Sequence, residues 1–434
     1  MRLTFVSPGT GSYYCGVCMR DNALVTTLKQ QGHSATLLPM YLPLLTDEPS
    51  MAETSPLFFG GINVYLQQKA SLFRHTPGWM DALLDNRSLL RSVARRSNMH
   101  GGPELGPMTL SMLRGADGQQ AKEVAKLVDY LKAQPKPDAL FLGTVLQIGL
   151  APVLRQALKV PVFCSLQGED FFLDTLSAVD RAEAYRLIRT HGAEVEAFIA
   201  PSRFFADRMV DLADLNPDQI VVLPNGISLE GYRAVEQFAE PRAIGFLAHM
   251  IPEKGLGHLV EAFTLLRAKA GFDDVRLEIA GAMRAADEPF VQALRRHLDE
   301  DGLQAAYRFS PNLTRVQKIE FLRRLSVFSV PVQIGEAFGL YLLEAWATGL
   351  PVVQPARGSF PELIEATGGG LLYEPDTPAA LADALAQVLN DPARAHAMGC
   401  SGAEAVQARY CVQTMARAVA DLVKCGLNPS VSAC

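Results

Sequence analysis

The alternation of short apolar runs with amphipathic helical stretches constrains this chain more than any other feature. It is the pattern of parallel sheets covered by helices on both faces, because a strand buried on two sides reads as a continuous apolar run. In the first half the strand-like runs fall at residues 3–7, 35–38, 139–142, 160–165 and 197–200, and a second set falls at 243–247, 276–280, 327–331 and 351–354. Two doubly wound α/β units are expected, and 434 residues suit two domains of ordinary size.

Pro224, Asn225 and Gly226 turn the chain before a polar stretch, which places the linker at 224–241. The expected first domain is then 1–223, with an insertion at about 42–118 where the alternation fails. The second is 242–410, followed at 411–434 by a helix and tail that could pack back on the first. Sheets of this kind bind ligands at the carboxyl ends of their strands. With two such sheets facing each other, the ligand site is expected in the cleft between them.

Several function classes drop out on composition. A charged fraction of 20% beside 49% hydrophobic residues describes a folded chain with filled interiors, and a net charge of −6 offers no whole-molecule reason to bind nucleic acid. Residues 1–7 are too short an apolar run for a signal peptide, and the uncharged run at 139–154 is interrupted by Gly143, Gln147, Gly149 and Pro152, as a core strand and helix would be. Seven thinly spread cysteines indicate reduced thiols and a cytoplasmic location.

After the first strand comes PGTGSYYCGVCMRDN, where Gly9 and Gly11 allow a backbone to approach a ligand closely. A dinucleotide fold also needs an acidic residue at the end of the second strand, and this strand ends Leu38, Pro39, Met40, so no nicotinamide cofactor is expected. Cys15 and Cys18 form a C-x-x-C at a strand-to-helix junction, with packing, acceptor contact or redox chemistry as its readings. A metal would need more ligands than this neighbourhood offers. Further on, Gln167, Glu169 and Asp170 follow a buried strand as hydrogen-bond partners for a polyhydroxylated acceptor or as caps of the following turn.

Within the insertion, residues 63–66 read as a strand and 79–96 as a helix carrying Arg87, Arg91, Arg95 and Arg96. The four-residue spacing of the first three puts them on one side. An acidic acceptor, a phosphorylated sugar or a lipid phosphate at a membrane surface, competes there with a plain solvated face, since Asp81 and Asp85 partly offset the charge.

The strongest candidate for chemistry is GEAFGLYLLEAWATGLPVVQ at 335–354. Glu336 precedes a helix whose first N–H groups, at Gly339 and Leu340, can hold an anion, so the loop reads as a phosphate seat. Glu344 lies inside that helix with Leu340, Tyr341, Ala347 and Thr348 as its helical neighbours, so its partner must be a ligand diol or a cation from elsewhere in the fold.

The order of parts in the second half resembles that of the retaining glycosyltransferases of family 4. It is carried by PNGI at 224–227, FLAHMIPEKGL at 246–256, the Glu336/Glu344 pair, GLPVV at 349–353, GGGLLYEP at 368–375 and DPARAHAMG at 391–399. The resemblance implies the GT-B fold, two facing Rossmann-like domains, and a nucleotide-diphosphate sugar as donor, with no cofactor and no metal. By that match Glu336 holds sugar hydroxyls, Glu344 the ribose diol, Gly339 and Leu340 the diphosphate, and Lys254 the charge of the leaving group. Phe338, Asn225 and Leu313 belong to the same donor side, and Gly11, Gln167, Glu169, Asp170, Arg91 and Arg95 to the acceptor side. Where the family usually writes Gly-Arg before the lysine, this chain has Ala248 and His249, and histidine cannot fork two bonds onto a phosphate. The rival expectation is therefore a catalytically reduced GT-B protein that binds nucleotide sugars, or a nucleotide-sugar hydrolase or epimerase. The expected partners are a nucleotide sugar and a sugar, lipid or phosphorylated acceptor, the lipid case adding peripheral contact at the inner membrane face.

Overall fold

The computed structural model describes residues 1–9, 15–53, 55–60, 64, 66–68, 105–238 and 240–425. The chain divides into two compact units, Met1–Pro224 with Met415–Cys434, and Asn225–Thr414. Residues 225–238, expected as linker, count with the second unit, where the Ile227 N–H donates to the Tyr410 carbonyl (3.0 Å) and the Ile227 carbonyl accepts from the Val412 N–H (2.9 Å). Among the described residues no helix is long and apolar enough to cross a membrane.

The first unit is built on a parallel sheet of β1 (Arg2–Ser7), β2 (Ser34–Pro39), β3 (Ala139–Leu142), β4 (Val162–Ser165), β5 (Ala197–Ala200) and β6 (Ile220–Val222), in the order β2-β1-β3-β4-β5-β6. Every residue of β3, β4 and β5 is buried, which is why these strands read as unbroken apolar runs. Phe5, Phe141 and Phe163 stack across neighbouring strands at centroid separations of 4.5 and 5.1 Å.

In the insertion, residues 64 and 66–68 are helical rather than extended, and Val64 N–H donates to the Gly60 carbonyl at 2.9 Å, a helical bond that a strand at 63–66 could not make. The expected arginine helix at 79–96 lies outside the described residues.

The second sheet comprises β7 (Ala243–Leu247), β8 (Arg276–Gly281), β9 (Tyr307–Pro311), β10 (Val327–Phe328), β11 (Val352–Pro355) and β12 (Gly370–Tyr373), ordered β12-β11-β10-β7-β8-β9. The chain runs outward from β7 through β9, then returns to the other side of β7 and runs outward again. The order thus reverses between β7 and β10, and the loops leaving those two strands diverge into a crevice of the kind that binds nucleotides. In the first sheet the reversal falls between β1 and β3.

Candidate active site

Two loops dominate the reversal point of the second sheet. The first leaves β7, carries His249 and Lys254, and enters the helix Leu256–Arg267 through Gly255. Gly255 has φ +76°, and a Cβ there would lie 1.7 Å from the Pro331 carbonyl oxygen. Only glycine lets this loop press so closely on the one leaving β10. A backbone bond from Gln333 N–H to the Glu253 carbonyl (2.9 Å) ties the two together.

Lys254 and Glu336 meet across that contact, Nζ to Oε2 at 2.5 Å, with side chains 22% and 16% exposed. Tyr341 O–H donates to the same carboxylate oxygen at 2.9 Å. Burial and the Glu336 charge push the Tyr341 hydroxyl well above its ordinary pKa, so it remains a donor. Behind Glu336 the chain is braced by Ser359, whose N–H donates to the Glu336 carbonyl at 3.0 Å.

The helix Leu340–Ala347 starts beside this pair. Its N-cap, Gly339, has no side chain to cap with, and its first turn holds no acidic residue. The helix end therefore keeps the partial positive charge of its N–H groups, and the Lys254 ammonium lies 5.9 Å from the ring centroid of Tyr341 in its first turn. Phe338 is buried and packs toward the Tyr410 ring (centroids 6.3 Å apart).

Glu344 finds its cation elsewhere in the fold. Lys318, from the helix Arg315–Leu322, approaches Oε1 at 2.5 Å, and Tyr232 O–H donates to the same oxygen at 3.1 Å. Of the two partners left open by the sequence, the structure supplies the cation. Arg315 lies 5.2 Å above the Tyr232 ring and donates to the Ser228 and Glu230 carbonyls, both at 3.0 Å. Asn225 is buried, and Leu313 packs against the unit's core.

A third group sits at the ends of β7 and β8. His249 Nε2 lies 2.8 Å from Asp287 Oδ2, and Asp287 also accepts from Arg284 through its backbone N–H (2.8 Å) and its guanidinium (two contacts at 3.1 Å). Burial alone would raise the Asp287 carboxyl, but the bonds from Arg284 and His249 outweigh it and hold it below the usual carboxylate range. Burial pushes His249 below its ordinary 6.5, and Arg284 and Lys254 act in the same direction against the pull of Asp287. His249 is therefore neutral at neutral pH and donates its Nε2–H to an ionised Asp287.

The model of the family described as "Glycosyl transferases group 1" matches residues 230–405, and that described as "Glycosyl transferase 4-like domain" matches residues 60–226. The chain belongs to glycosyltransferase family 4. Its two parallel six-stranded sheets are those of the GT-B fold. Solved structures with this fold include HepE of Anabaena in complex with UDP (TM-score 0.67, 16% identity, over 98% of this chain and 100% of that one). Sucrose-phosphate synthase from Thermosynechococcus elongatus gives a TM-score of 0.69 at 17% identity, over 98% of each chain.

Among curated relatives, a GDP-mannose-dependent alpha-(1-6)-phosphatidylinositol monomannoside mannosyltransferase of Mycobacterium tuberculosis is 29% identical over 184 residues, 41% of this chain and 46% of that protein. A D-inositol 3-phosphate glycosyltransferase of Kineococcus radiotolerans is 29% identical over 222 residues, 46% and 50% of the two chains. The family 4 chain thus spans about half the length of the curated relatives it matches.

The acceptor-side candidates of this family 4 chain are arranged differently. Glu169 is buried, and its carboxylate accepts from Thr144 Oγ1 (2.6 Å), Val145 N–H (3.0 Å) and Gln167 N–H (2.6 Å). Burial nevertheless pushes its pKa up. Asp170 is paired with Arg208. Gly11, Arg91 and Arg95 lie outside the described residues.

Arg284, Asp287, Lys318 and Tyr232 were not anticipated as site residues. Arg284 and Asp287 follow β8 directly, and a search for charged residues just past each strand end would have found them.

Proposed function

We propose that this chain transfers a sugar from a nucleotide-diphosphate sugar to an acceptor hydroxyl with retention of configuration and without a metal ion. The observation that carries the reading is the Lys254–Glu336 pair set beside the uncapped helix start at Gly339, at the reversal point of the second sheet. A diphosphate seated on the N–H groups of Gly339 and Leu340 would meet the Lys254 ammonium, and the sugar hydroxyls would meet Glu336.

As the bond between the anomeric carbon and the phosphate oxygen breaks, negative charge grows on that phosphate. Lys254 and the helix end are already aimed there, and such preorganised charge is usually the largest catalytic term. The acceptor oxygen bonds the anomeric carbon from the face the phosphate leaves, and its proton passes to the departing phosphate oxygen. The step balances without a protein base. On the nucleotide side, Glu344 takes Lys318 and Tyr232 on Oε1, and its second oxygen is the one a ribose diol would meet.

The acceptor reading favours a phosphorylated polyol, free or as a lipid headgroup, in keeping with the inositol phosphate and phosphatidylinositol acceptors in the relatives' names. A cytoplasmic enzyme, peripheral to the membrane where the headgroup is lipid-borne, fits that reading. The second reading, a nucleotide-sugar-binding protein with reduced transfer, rests on His249 standing neutral where the family usually carries arginine.

A thermal-shift panel of nucleotide sugars identifies the donor, since a ligand at a hundredfold excess over Kd stabilises by ~2.7 kcal/mol. Transfer assays with that donor then separate the readings. An inverted anomeric product would overturn retention, and loss of activity in EDTA with rescue by Mg²⁺ or Mn²⁺ would overturn metal independence. Donor binding with no transfer to any phosphorylated polyol or lipid leaves the second reading in place.

A further inference from the structure

The first sheet's reversal point holds a pair of thiols that sugar transfer does not use. Cys15 is the N-cap of the helix Gly16–Gln30, and Cys18 is its third residue. Met19 N–H donates to the Cys15 carbonyl at 3.0 Å, which closes the first turn and stacks the two side chains on one face. Positions three apart on a helix put their Cβ atoms roughly 5–6 Å from each other, close enough that a small side-chain adjustment permits a disulfide.

The two thiols differ in the way an exchanging pair requires. Cys15 is partly exposed, whereas Cys18 is fully buried. The helix begins with no acidic residue in its first turn, so its N–H groups favour a thiolate at the N-cap. A hydrogen bond from the Cys18 thiol brings the Cys15 thiol down to about 7. Cys18 is held well above its ordinary value by that same bond, by burial and by the nearby charges of Cys15 and Asp21. Asp21 lies one turn further on, buried and paired with Arg20 at 2.5 Å. One thiol is thus poised to attack and the other to stay protonated until an adjacent disulfide forms.

We propose that Cys15 and Cys18 form a dithiol–disulfide exchange site that takes low-molecular-weight organic disulfides. The Cys15 thiolate attacks one sulfur of the disulfide, the S–S bond breaks, and one thiolate leaves, forming a mixed disulfide on Cys15. Cys18 then attacks the Cys15 sulfur and the second thiol leaves. The two protein thiols lose two electrons, the organic disulfide gains them, and the two thiol protons end on the released thiols. Oxidation closes a ring across the first helical turn, beside the carboxyl end of β1.

The test uses the intact chain equilibrated in glutathione buffers from fully reduced to fully oxidised, quenched in acid, alkylated and mapped by mass spectrometry. Trypsin cleaves after Arg2 and Arg20, leaving both thiols on the peptide 3–20. That peptide is expected to lose two hydrogens with a single midpoint across the series. Cys164, fully buried with its thiol pushed up by burial, serves as the unreactive internal reference.

In Cys18→Ser the expected product is one glutathione held on Cys15. In Cys15→Ser no adduct is expected on Cys18. Alkylation of Cys15 in the unmodified chain is expected to reach half its limiting rate near pH 7. A peptide 3–20 that carries two alkyl groups in every buffer would overturn the proposal, and so would glutathione trapped on Cys18 in preference to Cys15. Should Cys18→Ser fail to fold, the buffer series and the pH profile on the unmodified chain decide the matter alone.

Discussion

The reversal points of the two sheets treat charge in opposite ways. At the second, Lys254 and Glu336 pair at the tips of two loops with side chains 22% and 16% exposed. At the first, Arg20 and Asp21 pair with 6% and 1% exposed, and the Glu169 carboxylate is spent on three neighbouring donors. A partly hydrated ion pair can exchange partners with an incoming anion at small cost. A buried one cannot, because separating it strands a charge in a poor solvent. A parallel sheet with a reversal point is therefore not in itself a ligand site, and the solvation of the charges placed there decides which of the two can turn over a charged substrate.

Within the second unit the same contrast separates its two glutamates, and the largest effect is expected at the more enclosed one. Glu344→Ala leaves the Lys318 ammonium, on a side chain 11% exposed, without its carboxylate. Stability should fall by about 3 kcal/mol, read from denaturant midpoints at unchanged slope. A loss below about 1 kcal/mol would mean that groups other than Glu344 hold the Lys318 ammonium, and the distinction between the two glutamates would dissolve.

Lys254→Ala should leave the denaturant midpoint nearly unchanged while kcat/KM falls roughly ten- to a hundredfold, the worth of a charge-assisted bond at ~1.5–3 kcal/mol. Glu336→Gln should behave alike, since Tyr341 still donates to the remaining carbonyl oxygen. Full activity in a stable Lys254→Ala protein would remove the phosphate role. Gly358→Ala probes the brace instead of the charge. Gly358 has φ +61°, and a Cβ there would lie 2.6 Å from the Glu336 backbone nitrogen, so the loop must shift. A stability loss of about 1–2 kcal/mol is expected, together with weaker donor binding by calorimetry. Unaltered donor binding would show that Glu336 can be moved without consequence.

The central strands could be read from the sequence because burial on both faces makes them continuously apolar. β6, β9 and β12 could not, and these are edge strands whose residues are mostly half-buried, so their composition resembles that of loops. Tyr307–Pro311 accordingly falls in none of the strand-like runs, although it extends the sheet. Lys254 and Glu336 stood out because each lies in a local pattern that needs no knowledge of the other. The partners that set their surroundings did not, since His249 finds Asp287 across 38 positions and Glu344 finds Lys318 across 26. Spacing reveals such pairs only within a helix turn or across adjacent strand residues. Solvation was equally hidden, and it is what distinguishes Glu169 from Glu336.

The smallest expected effect is a pH dependence at His249. His249 has a folded pKa below its ordinary 6.5, so below that value the unfolded chain binds a proton that the folded chain refuses. Above it both states are neutral and the histidine contributes nothing to the pH dependence. As pH falls from 6.5 toward the folded pKa, stability must fall as well. Asp287 adds a loss of the same sign, but only further down, below its own ordinary 3.8. His33 and His191 are also lowered by burial and share the upper window, so the raw slope of the protein is not diagnostic. The difference between the unmodified chain and His249→Asn isolates the site. Denaturant midpoints taken from pH 7.5 down to pH 5 should converge for the two proteins at the acid end, relative to their separation at pH 7.5, since only the histidine form loses the contribution of residue 249. Parallel curves would mean that the folded chain protonates His249 as readily as the unfolded one, and the effect of burial on its pKa would have to be withdrawn.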